Sequence, residues 1–434
     1  MKVHSLYIRL RNLLAITLVG MAAASCSDEE IASWNENIQA GLPTTVKLRF
    51  DVSVPEEKVS SRADESGDDA VFDLYVFIFD NKGDLVKKQL FRNLNGDTPP
   101  EGTQQPDPSG SENYVTMDAR TGRSYIYGIA NVDGSVNEYS TDIEEELDKI
   151  ETRDELLSFS ATLRESVYRL GNSYLMTGSA VDNETDGTYT ITEDADIKTI
   201  QLRRLDSQIT FNLSAGDGCT FRPTSYQICN VPKKACLIER EATRNVGTAC
   251  TWDGTADEDT DDYFDSEETT GNIATDMGFT FWMVENRLNG QKEITDQGTV
   301  KDTYGLREKE NKEPIEGATD KPNVTNNGYV YAPDNGTYVV IKGEFAGEST
   351  VSGNTGPVEA DVTYVIHLGY VDGENYTAKA NDFFSNRNTK YTYNVTVNGV
   401  NDIIVEVIAD DAETEPAPGA EGDVIFTEGT TRYR

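Results

Sequence analysis

The sequence predicts an all-β protein built as two β-sandwiches in tandem, with one short helix in the first. Three observations carry that prediction. Apolar and polar residues alternate in segment after segment, Gly, Asn and Asp punctuate the intervals, and a single stretch keeps helical spacing. At 434 residues the chain is long enough for two domains, each with its own core.

The elements follow in chain order. In TTVKLRFDVSVP (44–55), Val46, Leu48, Phe50, Val52 and Val54 share one face, and Lys47, Arg49, Asp51 and Ser53 share the other, the pattern of a half-buried strand. VFDLYVFIFD (71–80) is apolar on both faces, which suits a central strand, and Asn81-Lys82-Gly83 supplies the turn after it. SYIYGIANV (124–132), DGTYTIT (186–192), IKTIQLRRL (197–205) and SQITFNLS (207–214) read as further strands. Thr141-Asp142-Ile143-Glu144 opens like a capped helix, and Ile143, Leu147 and Ile150 keep its apolar stripe, which should lie across an open face or end of the first domain.

Strands continue through the second half: SYQICNVP (225–232), GFTFWMVEN (278–286), GTYVVIKGEF (336–345), VTYVIHLGY (362–370), KYTYNVTVNGV (390–400) and NDIIVEVIAD (401–410). Tyr391, Tyr393, Val395 and Val397 alternate with Thr392, Asn394 and Thr396. Two polar stretches interrupt the pattern. EEKVSSRADESGDDA (56–70) separates two strong strands, and ADDAETEPAPGAEG (409–422) is an acidic leash ahead of the short apolar segment DVIFT (423–427), where Val424, Ile425 and Phe426 form a candidate assembly strand.

Charge and residue usage exclude several function classes. Acids outnumber bases 76 to 38, which disfavours nucleic acid and adsorption to anionic lipid. Outside the leader the sole histidine is His367, set among apolar neighbours in YVIHLGY, and its simplest reading is a satisfied sheet residue. No Walker loop, GxGxxG or HExxH occurs, and no carboxylate pair stands out, so neither catalytic nor cofactor-binding residues are assigned. Asp257, Asp259, Asp261 and Glu268 match the ligand spacing of a twelve-residue calcium loop. The position that needs glycine there is Asp262, however, so a solvated loop is expected and no metal is assigned. Cys219, Cys229, Cys236 and Cys250 cluster in one stretch; in an exported protein they allow up to two disulfides in three pairings, and zinc is disfavoured for want of a CxxC.

The N-terminus explains why export is expected. Lys2, Arg9 and Arg11 precede a short apolar run and then the small residues of MAAASCSDEE (21–30). A cysteine directly after Ala24-Ser25 resembles a lipoprotein signal, in which cleavage leaves Cys26 as the acylated N-terminus. The alternative is an ordinary secretory signal with an incidental cysteine. Ser27-Asp28-Glu29-Glu30 also resembles the acidic tag that sends lipoproteins of the Bacteroidales to the cell surface.

Several segments together resemble the fimbrillins of Bacteroidales type V pili, in particular the major structural subunits of the short (minor) fimbriae. They include DLYVFIFD (73–80), IYGIANV (126–132), LRRLDSQITFNL (202–213), SYQICNVPKKACLIER (225–240), YAPDNGTYVVIKGEF (331–345) and, most specifically, FFSNRNTKYTYNVTVNGVNDIIVEV (383–407). The four clustered cysteines depart from the family pattern. The resemblance implies two transthyretin-like β-sandwiches and a lipidated precursor at the outer membrane. It further implies a cut by an arginine-specific or trypsin-like surface protease, here between Arg62 and Ala63, that removes the strand of Val46 to Val54. A strand from another copy then fills the groove, building an extracellular fimbrium with its anchor and tip subunits. On this basis the chain divides into a signal peptide (1–25), a propeptide with the removable strand (26–62), an N-terminal sandwich (63–205), a C-terminal sandwich (206–408), and a linker with the assembly strand (409–434). A surface adhesin or tip subunit that does not polymerise is the competing reading.

Overall fold

In the structure, a computed structural model, the described residues are 41–52, 70–94, 114–133, 142–162, 166–168, 173–182, 187–193, 197–238, 263–289, 295–296, 299–300, 335–348, 356–369, 382–400, 402–411, 423–425 and 432–433. The leader with Cys26, the bond Arg62-Ala63, Val54, Asp257, Asp259, Asp261, Cys250 and Phe426 lie outside them.

The first half is β1 (Pro43–Val52), β2 (Leu74–Asp80), β3 (Leu85–Phe91), β4 (Tyr114–Arg120), β5 (Gly122–Ala130), α1 (Ile143–Leu147), α2 (Arg153–Ser158), β6 (Ser160–Thr162), β7 (Met176–Ala180), β8 (Tyr189–Ile191) and β9 (Ile197–Arg204). One curled sheet runs in the order β3-β2-β5-β7-β9-β1-β4, with β8 paired to β5. The curl brings its two ends together, where Lys87 of β3 lies 3.9 Å from Asp118 of β4. Inside it pack Val46, Leu48, Leu74, Val76, Ile78, Val115, Met117, Ile126, Ile200 and Leu202.

Strand β2 is apolar on both faces because it has a core on each. Tyr75, Phe77 and Phe79 point away from the interior and stack on one another, at 4.7 Å and 5.9 Å between successive rings. Ile143, Leu147, Ile150 and Leu156 of the helical segment cover them. That segment is two short helices, where the sequence suggests one. Asp142 caps α1 by accepting from the Glu145 amide at 3.1 Å. Thr152 and Glu155 then form a full capping box for α2, a second start signal inside the same apolar stripe.

The second half contains β10 (Asp206–Ala215), β11 (Thr220–Cys229), β12 (Val231–Pro232), β13 (Lys234–Cys236), β14 (Tyr263–Phe264), α3 (Ile273–Asp276), β15 (Gly278–Val284), β16 (Asn286–Asn289), β17 (Thr295–Asp296), β18 (Thr299–Val300), β19 (Tyr338–Glu348), β20 (Pro357–His367), β21 (Asp382–Ser385), β22 (Thr389–Gly399), β23 (Asp402–Asp411), β24 (Asp423–Ile425) and β25 (Arg432–Tyr433). Two sheets, β15-β10-β22-β23-β24 and β11-β19-β20-β25, sandwich the second core. Tyr391, Tyr393, Val395 and Val397, the alternating set of β22, are all buried in it, with Tyr393 stacked on Phe211 at 4.7 Å.

The two halves share structure. Strand β13 pairs antiparallel with β6, and Ala235, Leu237, Ile238 and Val284 complete the core under the helices. Next to that core, within the second half, Arg387 is 1% exposed in its side chain, ion-paired with Glu285 and donating to the carbonyls of Cys236 at 2.7 Å and Leu237 at 3.1 Å.

Candidate functional site

Strand β1 is the element on which a strand-exchange function would depend, and its surroundings can be built from the alternation outward. Val46 and Leu48 are fully buried, Phe50 and Val52 are partly buried against the same core. On one side Pro43–Arg49 pairs antiparallel with Arg120–Tyr114 of β4. On the other, Lys47–Val52 pairs parallel with Ile197–Leu202 of β9. The two ladders are staggered, so only Lys47, Leu48 and Arg49 are bonded on both sides. β1 is therefore an interior strand, although it is the first of the described strands.

Polar groups fasten both ends of β1. Thr121 accepts from the amides of Gly41 and Leu42, through its carbonyl at 2.7 Å and its Oγ1 at 3.0 Å, and donates its own amide to Leu42 at 2.9 Å. Toward the other end Arg49 Nε donates to Thr199 Oγ1 at 3.1 Å. After β1 the chain re-enters the described fold at Ala70, where a separate clamp takes over. The buried Asn131 donates to the carbonyls of Ala70 and Tyr174 and accepts from the Phe72 amide at 2.8 Å. Beside it the carboxylate of Asp73 accepts from the amide of Val132 at 2.7 Å; burial pushes its pKa above the usual carboxylate range, against those backbone hydrogen bonds. Asn131 holds a left-handed φ of 63°, which asparagine tolerates better than most side chains.

The C-terminal segment lies on the second sandwich. Asp423, Val424 and Ile425 pair antiparallel with Val405, Ile404 and Ile403 at the free side of β23. Arg432 and Tyr433 pair with Asp361 and Ala360 of β20, in the opposite sheet. The acidic, proline-containing leash thus does not keep the segment away from its own domain in the single chain. Edge pairing satisfies its backbone groups, which composition alone does not reveal.

The remaining sequence candidates are distributed elsewhere. Cys219 and Cys229 carry thiols, so the four-cysteine cluster does not form two bridges, whereas Cys236 is disulfide-bonded. Cys219 Sγ donates to the Asn398 carbonyl at 3.2 Å. Burial, and then the Asp265 charge, push the Cys229 thiol up to about 11. Glu268, the last position of the acidic loop, is held by Lys342 at 2.8 Å and by the Ser225 hydroxyl, which lower its pKa and commit its oxygens. His367 packs on Tyr338 at 5.2 Å and edge-on to Phe383 at 5.8 Å, a sheet position.

Comparison with known proteins bears on the segment that contains this strand. Residues 44–204 match the family described as major fimbrial subunit protein (FimA). That span, less than half of the chain, is what resembles the FimA fimbrial-subunit family. The match begins two residues before Val46 and ends with β9, so it takes in the whole curled sheet from β1 onward. A fimbrial, cell-surface adhesion role is the coarse function it supports. Among solved structures, the chain is similar to the tip fimbrial protein Mfa3 from Porphyromonas gingivalis at 13% identity and a TM-score of 0.46, covering 85% of this chain and 100% of that one. It is similar to a fimbrial assembly protein from Parabacteroides distasonis at 11% identity and a TM-score of 0.39, covering 88% and 99%. The fimbrial anchor protein Mfa2 from Porphyromonas gingivalis follows at 10% identity and a TM-score of 0.34, covering 89% and 100%. No curated protein matches the chain.

Proposed function

We propose that the chain is a structural pilin, exported as a precursor lipidated on Cys26, cut between Arg62 and Ala63, and polymerised into a surface fimbria by strand exchange. The observation that carries this reading is the interior place of β1. Its loss would leave a slot between β9 and β4, with the pockets of Val46 and Leu48 empty. Refilling those two pockets contributes roughly 3–6 kcal/mol by buried area alone, and ladder hydrogen bonds add to it. The clamp of Asn131 on Ala70 and Phe72 supports a cut upstream of it, since β2 would stay anchored. Arg49, the rival cleavage point, lies within β1 with both neighbours engaged, a poor substrate for a protease.

On this reading Val424, Ile425 and Phe426 supply the incoming strand to a neighbouring copy. The other partners are pilus anchor and tip subunits and an arginine-specific or trypsin-like surface protease, with membrane contact through acyl chains alone. The role is structural, and no catalysis is assigned. N-terminal sequencing of shed filaments should read Ala63-Asp64-Glu65; a start at Cys26 or Phe50 overturns the proposal.

One observation favours the second reading, a surface adhesin or tip subunit that does not polymerise. β24 and β25 already pair with edges of their own sandwich. Deleting residues 423–434 separates the two. The pilin reading expects a folded, exported and cut chain that builds no filaments, whereas filaments of normal length from that truncation refute the donor role of the tail.

A further inference from the structure

Strand β4 depends on β1 to an unusual degree. Among the described strands it pairs with β1 alone, through every residue from Tyr114 to Arg120. Strand β3 also runs beside it, and among the described residues three other ties bear on it. The first is the covalent corner at Thr121 into β5, and that corner is bonded to Gly41 and Leu42, which leave with β1. The second is the Lys87–Asp118 pair, 3.9 Å long with side chains 41% and 83% exposed. The third is the burial of Val115, Met117 and Ala119 in the core that Val46 and Leu48 help to fill. An exposed ion pair is too weak to offset the backbone entropy of a seven-residue strand, and the other two ties weaken once β1 is gone.

We infer that β4 is a latch, ordered when a strand occupies the slot beside β9 and released when the slot is empty. The inference rests on the proposal that β1 is removed, and it adds how the replacement enters. A slot walled by two fixed strands makes a newcomer match both ladders at once. With β4 released, a strand from a second copy of this chain lies first along the Ile197–Leu202 edge of β9, parallel to it. β4 then closes over the newcomer antiparallel. The stagger of β1 supports this order, because its C-terminal half bonds to β9 and its N-terminal half to β4.

Amide hydrogen exchange tests the latch on the full chain carrying an engineered protease site between residues 53 and 69, so that β1 is removed whether or not Arg62 is the natural bond. After cutting and stripping of the N-terminal fragment, amides of Tyr114–Arg120 should exchange about a hundredfold faster or more, while those of β2, β5 and β7 keep their protection. Adding the synthetic peptide PTTVKLRFDVSV (43–54) should restore protection to β4. In the uncut chain, Leu48→Ala should speed exchange in β4 more than in β5. Retained protection of β4 in the stripped chain would mean that it has closed onto β9, and overturns the latch. Equal loss across β2, β5 and β7, or peptide binding without protection of β4, overturns it as well. Filaments built from uncut chains would overturn strand exchange itself, an outcome distinct from any of these.

Discussion

At the scale of single residues, close backbone approach and burial dominate. A Cβ at Gly178 of β7 would fall 1.8 Å from the Gln201 carbonyl oxygen and 2.6 Å from its carbon, both backbone atoms of β9. Gly128 faces Gly178 in the β5–β7 ladder, and a Cβ there would fall 3.0 Å from Ile200 Cγ2 of β9. These glycines let β9 cross from β7 toward β1. Gly178→Ala should therefore destabilise the first half by about 3 kcal/mol, read from its denaturant midpoint. Cys229 offers a pH-dependent test. Its folded pKa of about 11 lies above that of an unfolded thiol, so its contribution is present at and below the ordinary thiol range and is lost as pH rises through about 11. Relative to Cys229→Ala, the parent should lose up to about 1.4 kcal/mol per pH unit within that window. Native-state alkylation at pH 8 should spare this thiol, and rapid labelling would contradict the assigned burial.

At the scale of elements, β1 has two lives under the proposed function. In the precursor it fills the core through Val46 and Leu48; in the assembled subunit it is absent. Leu48→Ala should cost the precursor about 2–5 kcal/mol by cavity formation. The cut and assembled subunit, which no longer contains the residue, should melt unchanged. Thermal denaturation of the two forms checks this, and an equal loss in both would show that β1 stays with the filament.

At the scale of the whole molecule, the halves meet across the apolar core under the helices, with a set of buried polar bonds beside it. Arg387 gathers Glu285 and the carbonyls of Cys236 and Leu237, while the neighbouring Asn388 donates its amide to Asp206 at 3.0 Å and accepts from the Arg204 amide at 3.2 Å. Arg387→Met removes the buried ion pair with Glu285 and should cost about 3–5 kcal/mol. Adding Glu285→Leu should recover part of that loss in equilibrium unfolding; no recovery would mean that the carbonyl contacts dominate.

Period-two alternation by itself determined which faces of β1, β10, β22 and β23 turn inward, and two-faced apolarity marked β2 as central, because burial is written directly into side-chain type. The capped stripe at 142–150 announced helix over the open face of β2, although not the second cap at Thr152. Neighbours were not legible. Alternation says which side of a strand is buried and nothing about what lies at its edges, so only the tertiary structure decided that β1 runs between a parallel and an antiparallel partner. Strands β3 and β7 have weak patterns, since Lys87 and Lys88 interrupt β3 and glycine interrupts β7, whereas β4 alternates cleanly through Val115, Met117 and Ala119 and was legible but not read as a strand. Arg387 was invisible for a related reason. A charged residue in an Asn-rich turn reads as solvated, and it is buried here only because three acceptors from distant segments converge on it. The pairing of β24 and β25 was likewise settled by open sheet edges nearby, since unpaired backbone groups attract a strand that its own leash composition would send into solvent.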